Sequence, residues 1–322
     1  MFDRIRKLRE AGVLGINRRN ADYTLVYNPR RLYPLVDDKL QTKRLALEAG
    51  MAVPELYGVI SHEYEIKRLP EMLAPHASFV VKPAHGSGGN GIVVITGRMR
   101  KMYRKAGGLL LSPDELAYHV SNTLSGLYSL GGYPDQAIIE YRVQFDPVFE
   151  AISYQGVPDI RIIVFLGVPV LAMVRLPTRA SEGKANLHQG ALGVGVDIAT
   201  GRTLTAVWGN DTIDEHPDTG NPVNDVAVPG WDDLLRLASR CCELTALGYQ
   251  GVDIVLDRER GPLILEINAR PGLNIQIANR TGLLHRLHAV ERHHRELRDV
   301  EARVAFAKAH FSHGDRVPAA PA

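Results

Sequence analysis

Three oxygen-bearing side chains, Asp253, Glu266 and Asn268, fall within one stretch, GVDIVLDRERGPLILEINARPG (residues 251–272), whose apolar runs predict two strands joined by a polar turn. Successive side chains of a strand point to opposite faces, so Glu266 and Asn268 share one face while Leu265 and Ile267 share the other. The turn across 257–262 is short enough to make the strand carrying Asp253 the antiparallel neighbour, and the three oxygens can then meet. Hard oxygen donors of this kind suit Mg²⁺, with Mn²⁺ as a substitute; such a cation keeps part of its water and bridges to substrate phosphates. A plain hairpin with a polar wet face reads the same way on this stretch alone. Other segments must decide.

Lys82 ends an apolar strand directly before HGSGGNGI (85–92). A lysine there supplies a point charge for phosphate oxygens, while a turn containing Ser87, Gly88 and Gly89 lets backbone N–H groups approach them. Lys39 and Lys43 are one helical turn apart on a second basic element. Gly86, Gly88 and Gly91 formally satisfy GxGxxG, yet the dinucleotide fingerprint needs a helix after the glycines, and 92–96 is β-branched and extended. No GKS or GKT ending marks a P-loop either. Two basic inputs and an acidic hairpin point to a nucleoside triphosphate held with a metal.

The elements that must position these groups follow from the pattern. Residues 2–11 read as a short basic helix, 15–20 as a Gly/Asn/Arg-rich segment leading to a loop through Pro29 and Pro34, and 37–49 as a helix closed by Gly50. Strands are expected over 56–60, 79–96 (interrupted by the glycine turn), 137–143, 159–165 and 168–176. Helices are expected over 112–125, with its Ser-Pro-Asp-Glu start, and over 231–247. Residues 177–191 read as an irregular polar loop, 195–228 as turns between short strands, and 282–311 as one long helix with heptad-like apolar spacing before a disordered Pro/Ala tail.

At 322 residues, 45% hydrophobic and 23% charged, the composition is that of an ordinary soluble globular protein, and a formal charge of +2 selects no partner. Residues 1–35 are unevenly basic, with eight Arg or Lys against three acids, and Arg18, Arg19, Arg30 and Arg31 offer a surface for an acidic acceptor. Cys241 and Cys242 are adjacent on a helix, without CxxC spacing, and read as core in a reducing cytoplasm. No signal-type run or membrane-length apolar stretch is present, and no aromatic-plus-basic pattern suggests nucleic acid.

In that order, DKLQTK (38–43), VVKP with HGSGGNGI (80–92), IIEY (138–141), DIRI (159–162), KANLHQGA (184–191), GVDIVLD (251–257) and LEINARPG (265–272) resemble the ATP-grasp superfamily. Within it they are similar to the RimK-type α-L-glutamate ligases and their ligase-like relatives. The resemblance implies an α/β (α+β) ATP-grasp fold, two α/β subdomains clasping ATP after a shortened N-terminal region. Its parts would be a basic segment (1–36), a helix–strand lead-in (37–78), a lid subdomain with the glycine loop (79–139), a C-terminal subdomain with the metal hairpin (140–280), and a terminal helix and tail (281–322).

By the same resemblance, Lys39 or Lys43, with Lys82, Ser87, Gly88 and Gly89, would hold the phosphates. Glu140 and Tyr141 would sit at the adenine. Asp159 would sit near the ribose, with Glu150 in the 142–158 insertion as its competitor. Arg161 would face the γ-phosphate, helped by Arg175. Lys184 stands where the RimK type has arginine, Asn186 keeps the family asparagine, and Arg270 would complete the acyl-phosphate side. Asp253, Glu266 and Asn268 would hold Mg²⁺. The implied reaction joins a carboxylate to an amine through an acyl phosphate, adding glutamate or a similar amino acid to a peptide or small acceptor. A ligase in envelope or exopolysaccharide modification and a nucleotide-binding regulatory module are the competing readings. The terminal helix leaves both a monomer and a homo-oligomer open.

Overall fold

The computed structural model describes residues 2–86, 88–209 and 211–313; Ser87 and the Pro/Ala tail lie outside the described residues. Two antiparallel sheets organise the chain. The first contains β1 (Leu56–Ile60), β2 (Phe79–Pro83), β3 (Val93–Met99), β4 (Met102–Lys105), β5 (Leu110–Leu111) and β6 (Ala137–Glu140), in the order β1-β6-β2-β3-β4-β5. The second contains β7 (Asp159–Phe165), β8 (Val168–Leu176), β9 (Leu192–Val196), β10 (Thr203–Trp208), β11 (Asp211–Ile213), β12 (Tyr249–Asp257) and β13 (Gly261–Asn268), in the order β11-β10-β9-β8-β7-β12-β13.

Each sheet has its own core. Under the first, Phe79, Val81, Ile95 and Ile139 pack against Leu116 and Val120 of the helix Pro113–Leu124. That helix starts where the sequence predicts, because Ser112 and Glu115 satisfy each other's backbone N–H groups in a capping box. The larger core lies under the second sheet. There β8 and β12 are buried along nearly their whole length, so they read as continuous apolar runs instead of alternating ones. The helix Trp231–Thr245 covers this sheet with Leu234, Leu235, Ala238 and Cys241. Cys241 is therefore core, as its apolar setting predicts, and burial pushes its thiol well above the usual range.

Two expectations are corrected. The single long terminal helix is two helices, Leu283–His293 and Val300–His310. The polar run through His294 and Arg295 offers no apolar side chain to dock. Asp299 then restarts the helix by accepting from the Ala302 N–H at 2.8 Å. Both helices pack on the chain's own second sheet. The segment expected to be irregular after Gly15 is instead helical from Ile16 to Tyr27, widened to a π-type turn over Arg19–Thr24. Low helix propensity loses here to tertiary packing, because the wide turn carries Tyr23 into the core, edge-on to Phe165 at 5.5 Å. Among the described residues, no helix is long and apolar enough to cross a membrane.

Candidate functional site

The cleft between the sheets is floored by β7, β12 and β13. Strand register sets Asp253 opposite Arg161 on one side and opposite Glu266 on the other, while Asp159 on β7 faces Arg175 on β8. The hairpin predicted from the sequence thus forms, and a one-residue irregularity between Asp253 and Ile254 marks its pairing. Asp253 accepts from Arg161 Nε at 2.7 Å and Nη2 at 2.6 Å, from Arg175 Nη2 at 2.8 Å and, weakly, from Asn268 Nδ2 at 3.3 Å. Burial alone would raise its pKa. The two guanidiniums more than offset this and bring it down to about 2, so it is a fixed anion.

Arg175 also clasps Asp159 with Nε and Nη2. Burial pushes the Asp159 carboxyl up to about 6 against the pull of Arg175. Burial likewise opposes the charge of Arg175, but Asp159 and Asp253 raise its pKa beyond the ordinary guanidinium range. Asp159 therefore stands beneath an arginine. Glu150, its competitor for the ribose, pairs with Arg258 on the surface at 2.9 Å.

At the other wall, Glu140 is clasped between two lysines. Its Oε1 lies 2.5 Å from Lys82 Nζ and its Oε2 lies 2.9 Å from Lys43 Nζ, all three side chains being buried. Burial raises the Glu140 pKa, but the lysines reverse that and hold it below the ordinary value. Burial lowers the pKa of Lys43, with Glu140 opposing. The Glu140 side chain is thus a counter-ion for the two lysines. Tyr141 turns the other way: its hydroxyl donates to Asp257 Oδ2 at 3.0 Å, and its ring lies 3.9 Å under the Arg260 guanidinium. Burial, then the Asp257 contact, pushes that phenol up to about 12.

Lys39 and Lys43 divide the roles that their spacing left open. Lys43 is sealed by Glu140 and the Pro54 carbonyl. Lys39 reaches across the cleft: its Nζ donates to the Gly86 carbonyl of the glycine loop and lies 4.0 Å from Glu266 Oε2. Its helix, Lys39–Glu48, is fixed there because Asp38 caps the first turn. Gly88 and Gly89 adopt positive φ, 66° and 79°. The Gly88 carbonyl accepts from Asn186 Nδ2 at 3.2 Å and from Gln189 Nε2 at 2.9 Å, which ties the glycine loop to the loop after β8. Gln189 was not singled out in the sequence; only its place inside KANLHQGA signalled it. Lys184 lies half-exposed beside Gly89, with Glu182 at 3.7 Å.

Arg161, Met173, Arg175, Asn186, Leu187 and His188 line a small cavity of about 40 Å³ that opens to solvent. Arg270 is not on its wall; it is exposed, 3.9 Å from Asp37 and over the Tyr33 ring. Of the acidic-acceptor surface expected of Arg18, Arg19, Arg30 and Arg31, one member is corrected. Arg19 is buried and donates to the Pro271 carbonyl at 2.7 Å, so it braces the turn after β13. Arg18 pairs with Asp22, while Arg30 and Arg31 are exposed.

The donor set suits a hard cation. Glu266 is half-buried with Lys39 as its ion-pair contact, and Asn268 carries an amide oxygen beside it. Asp253 stands next to both; three of the four N–H groups it accepts fall on Oδ2 and one on Oδ1. Among the described residues no three His, Cys, Asp or Glu side chains converge. A cation here would complete its shell with water or ligand oxygens.

A family model described as sugar-transfer associated ATP-grasp matches residues 18–292. No curated protein sequence matches the chain. Among solved structures, the ATP-grasp ligase PsnB complexed with minimal precursor aligns at 15% identity and a TM-score of 0.44, covering 87% of this chain and 62% of that one. PsnB complexed with minimal precursor, Mg and ADP aligns at 13% identity and 0.46, with the same coverage. D-cycloserine synthetase DcsG aligns at 14% identity and 0.46, covering 83% and 73%. The chain spans about 62% of the length of PsnB, and likeness at this level says nothing about substrate.

Proposed function

The chain belongs to the sugar-transfer associated ATP-grasp family, and from that premise we propose that it is an ATP- and Mg²⁺-dependent carboxylate–amine ligase working through an acyl phosphate. One observation carries the reading: Lys39 joins the glycine loop to the acidic hairpin, touching the Gly86 carbonyl and lying 4.0 Å from Glu266. A phosphate-type lysine, a glycine turn and a carboxylate are thereby within reach of one triphosphate and its cation.

Lys39, with Lys82, would bind the phosphates, and Glu266 and Asn268, with Asp253, would hold the cation. When bound, that cation offsets phosphate charge. Arg161 and Arg175 are held rigid by Asp253 and Asp159 while both line the cavity, which suits a preorganised clamp for the reacting carboxylate and γ-phosphoryl group. A carboxylate oxygen attacks the γ-phosphorus, the bond to the β–γ bridging oxygen breaks, and ADP leaves. The amine nitrogen then attacks the acyl carbon; phosphate departs with its bond pair and the amine loses a proton. The glycine loop tied to Asn186 and Gln189 would limit water's access to the acyl phosphate.

The motif order supports a RimK-type comparison and a glutamate-like amino acid, with Mn²⁺ able to replace Mg²⁺. The family description supports an acceptor within a sugar-transfer system. The test measures ADP release with amino acids, short acidic peptides and amino sugars, with mass analysis of products. Glu266→Ala should lower kcat by about 10²-fold or more while the unfolding temperature stays near wild type, because among the described residues the half-buried carboxylate makes only a 4.0 Å ion pair with Lys39. Tight ATP binding without ADP from any acceptor would replace the ligase with a nucleotide-binding regulatory module.

A further inference from the structure

Five of the sixteen large apolar side chains left exposed among the described residues fall within residues 8–26: Leu8, Val13, Ile16, Leu25 and Val26. Their setting is ordered. The helix Phe2–Glu10 closes through a left-handed Gly12 (φ 68°), the Val13 N–H donating to the Leu8 carbonyl and the Gly12 N–H to the Arg9 carbonyl, each at 2.9 Å. That closure sets position 13 beside position 8. His285 Nε2, 2.9 Å from the Glu10 carbonyl, docks the turn on the helix Leu283–His293. The next helix, Ile16–Tyr27, turns Arg19, Tyr23 and Thr24 inward, which leaves Ile16 (62% exposed), Leu25 (57%) and Val26 (63%) on its outer side. Water-facing aliphatic groups gathered on an ordered surface call for an occupant.

The charge of the same stretch says which. Residues 1–35 carry a formal +5, eight Arg or Lys against three acids, while the whole chain carries +2, which leaves −3 for the other 287 residues. Arg6, Lys7, Arg9, Arg18, Arg30 and Arg31 are all exposed. Even with Arg6 beside Glu10 and Arg18 beside Asp22, cations outnumber acids there. An anionic bilayer fits this mixture, because aliphatic tips enter the acyl boundary while long cationic side chains reach back to headgroup phosphates. A protein partner would have to desolvate those cations, and its anchors are chiefly aromatics and paired arginines, with Leu and Val under-represented. No described helix is long and apolar enough to cross the bilayer, so the segment would lie on it. The helix is already held by Tyr23 against Phe165 and by Arg19 on the Pro271 carbonyl, and docking therefore needs no folding step.

We propose that the surface formed by residues 6–31 is a peripheral docking face for an anionic phospholipid bilayer, with Leu25 and Val26 inserting and Arg30 and Arg31 meeting the headgroups. The experiment pellets the full chain with vesicles of phosphatidylcholine alone and with about 30% phosphatidylserine. It compares wild type, Leu25→Ser/Val26→Ser and Arg30→Gln/Arg31→Gln, with thermal unfolding and sedimentation velocity of each protein alone. Wild type should pellet with the serine-lipid vesicles and hardly with phosphatidylcholine, and raising NaCl from about 0.1 M to about 0.5 M should release it. The arginine pair should weaken partitioning roughly ten-fold or more, at about five-fold per cation. The aliphatic pair should weaken it roughly ten-fold as well, since about half of each side chain is still in water. Unfolding temperatures should stay near wild type, because all four side chains are exposed.

Vesicle binding needs no nucleotide, so its outcome is separate from that of the ligase reading. Wild type that fails to pellet with serine-lipid vesicles overturns the inference, as does equal pelleting with both lipids or partitioning that neither variant changes. Self-association of wild type that Leu25→Ser/Val26→Ser abolishes overturns it too, by giving the face to a second copy of this chain.

Discussion

Replacing Glu140 by Gln should be one of the most damaging conservative changes in the first sheet. The carboxylate lies 2.5 Å from Lys82 Nζ and 2.9 Å from Lys43 Nζ. At an effective dielectric of about 20 each attraction is roughly 6 kcal/mol before desolvation is counted. Burying the three groups offsets much of that, and the lysines repel each other. Deleting the shared anion leaves two buried ammonium groups facing one another, which costs about 3–5 kcal/mol.

The assay is urea unfolding of wild type, Glu140→Gln, Lys43→Met and the double variant. Removing Lys43 as well relieves the repulsion, so the double variant should be more stable than the sum of the single losses by at least ~1 kcal/mol. The pH dependence has a definite sign. Without Glu140 the folded pKa of Lys43, already lowered by burial, falls further below its unfolded value. The folded state then binds fewer protons than the unfolded one, so the variant should gain more stability than wild type as pH rises from about 8 to about 10. Excess ATP should raise the unfolding temperature of the variant more than that of wild type, since phosphates supply the missing anion. A loss under about 1 kcal/mol, or additivity within ~0.5 kcal/mol, refutes the reasoning.

Asp253 gives an acid-side counterpart. Its folded pKa is about 2, below the ordinary carboxylate value, so its contribution is present at neutral pH and fades as pH falls through that value. That amounts to about 2 kcal/mol, and the stability gap between wild type and Asp253→Asn should shrink as pH falls from about 4 to about 2; a gap constant with pH would count against it. Arg19→Ala should cost about 1.5–3 kcal/mol in urea unfolding, because the Pro271 carbonyl loses a buried charged donor. Arg18→Ala removes only an exposed pair with Asp22 and should cost less than ~0.5 kcal/mol. Equal effects of the two would show that Arg19 is not the brace described.

What the sequence revealed and what it hid divide along physical lines. The β12–β13 hairpin, β7 and β8, and the helix Pro113–Leu124 are legible because each is specified locally, by alternation, a short turn or a capping box. The site's charge pairing is not local. Nothing within IIEY says that Glu140 will serve Lys43 and Lys82, which come from a helix and another strand. Nor does the basic run near Arg19 reveal that one of its arginines turns inward to Pro271. Both outcomes are set by desolvation: a cation carried into a protein wall must meet an anion or a carbonyl, and only the assembled sheets decide which. The same rule gives the acidic hairpin its meaning. Asp253, read as a free metal ligand, is the anchor of two arginines, so a cation that engaged Asp253 as well as Glu266 and Asn268 would share it with Arg161 and Arg175. Cation binding and arginine placement would then be linked, because guanidinium N–H groups released from Asp253 would become donors at the wall of the cavity.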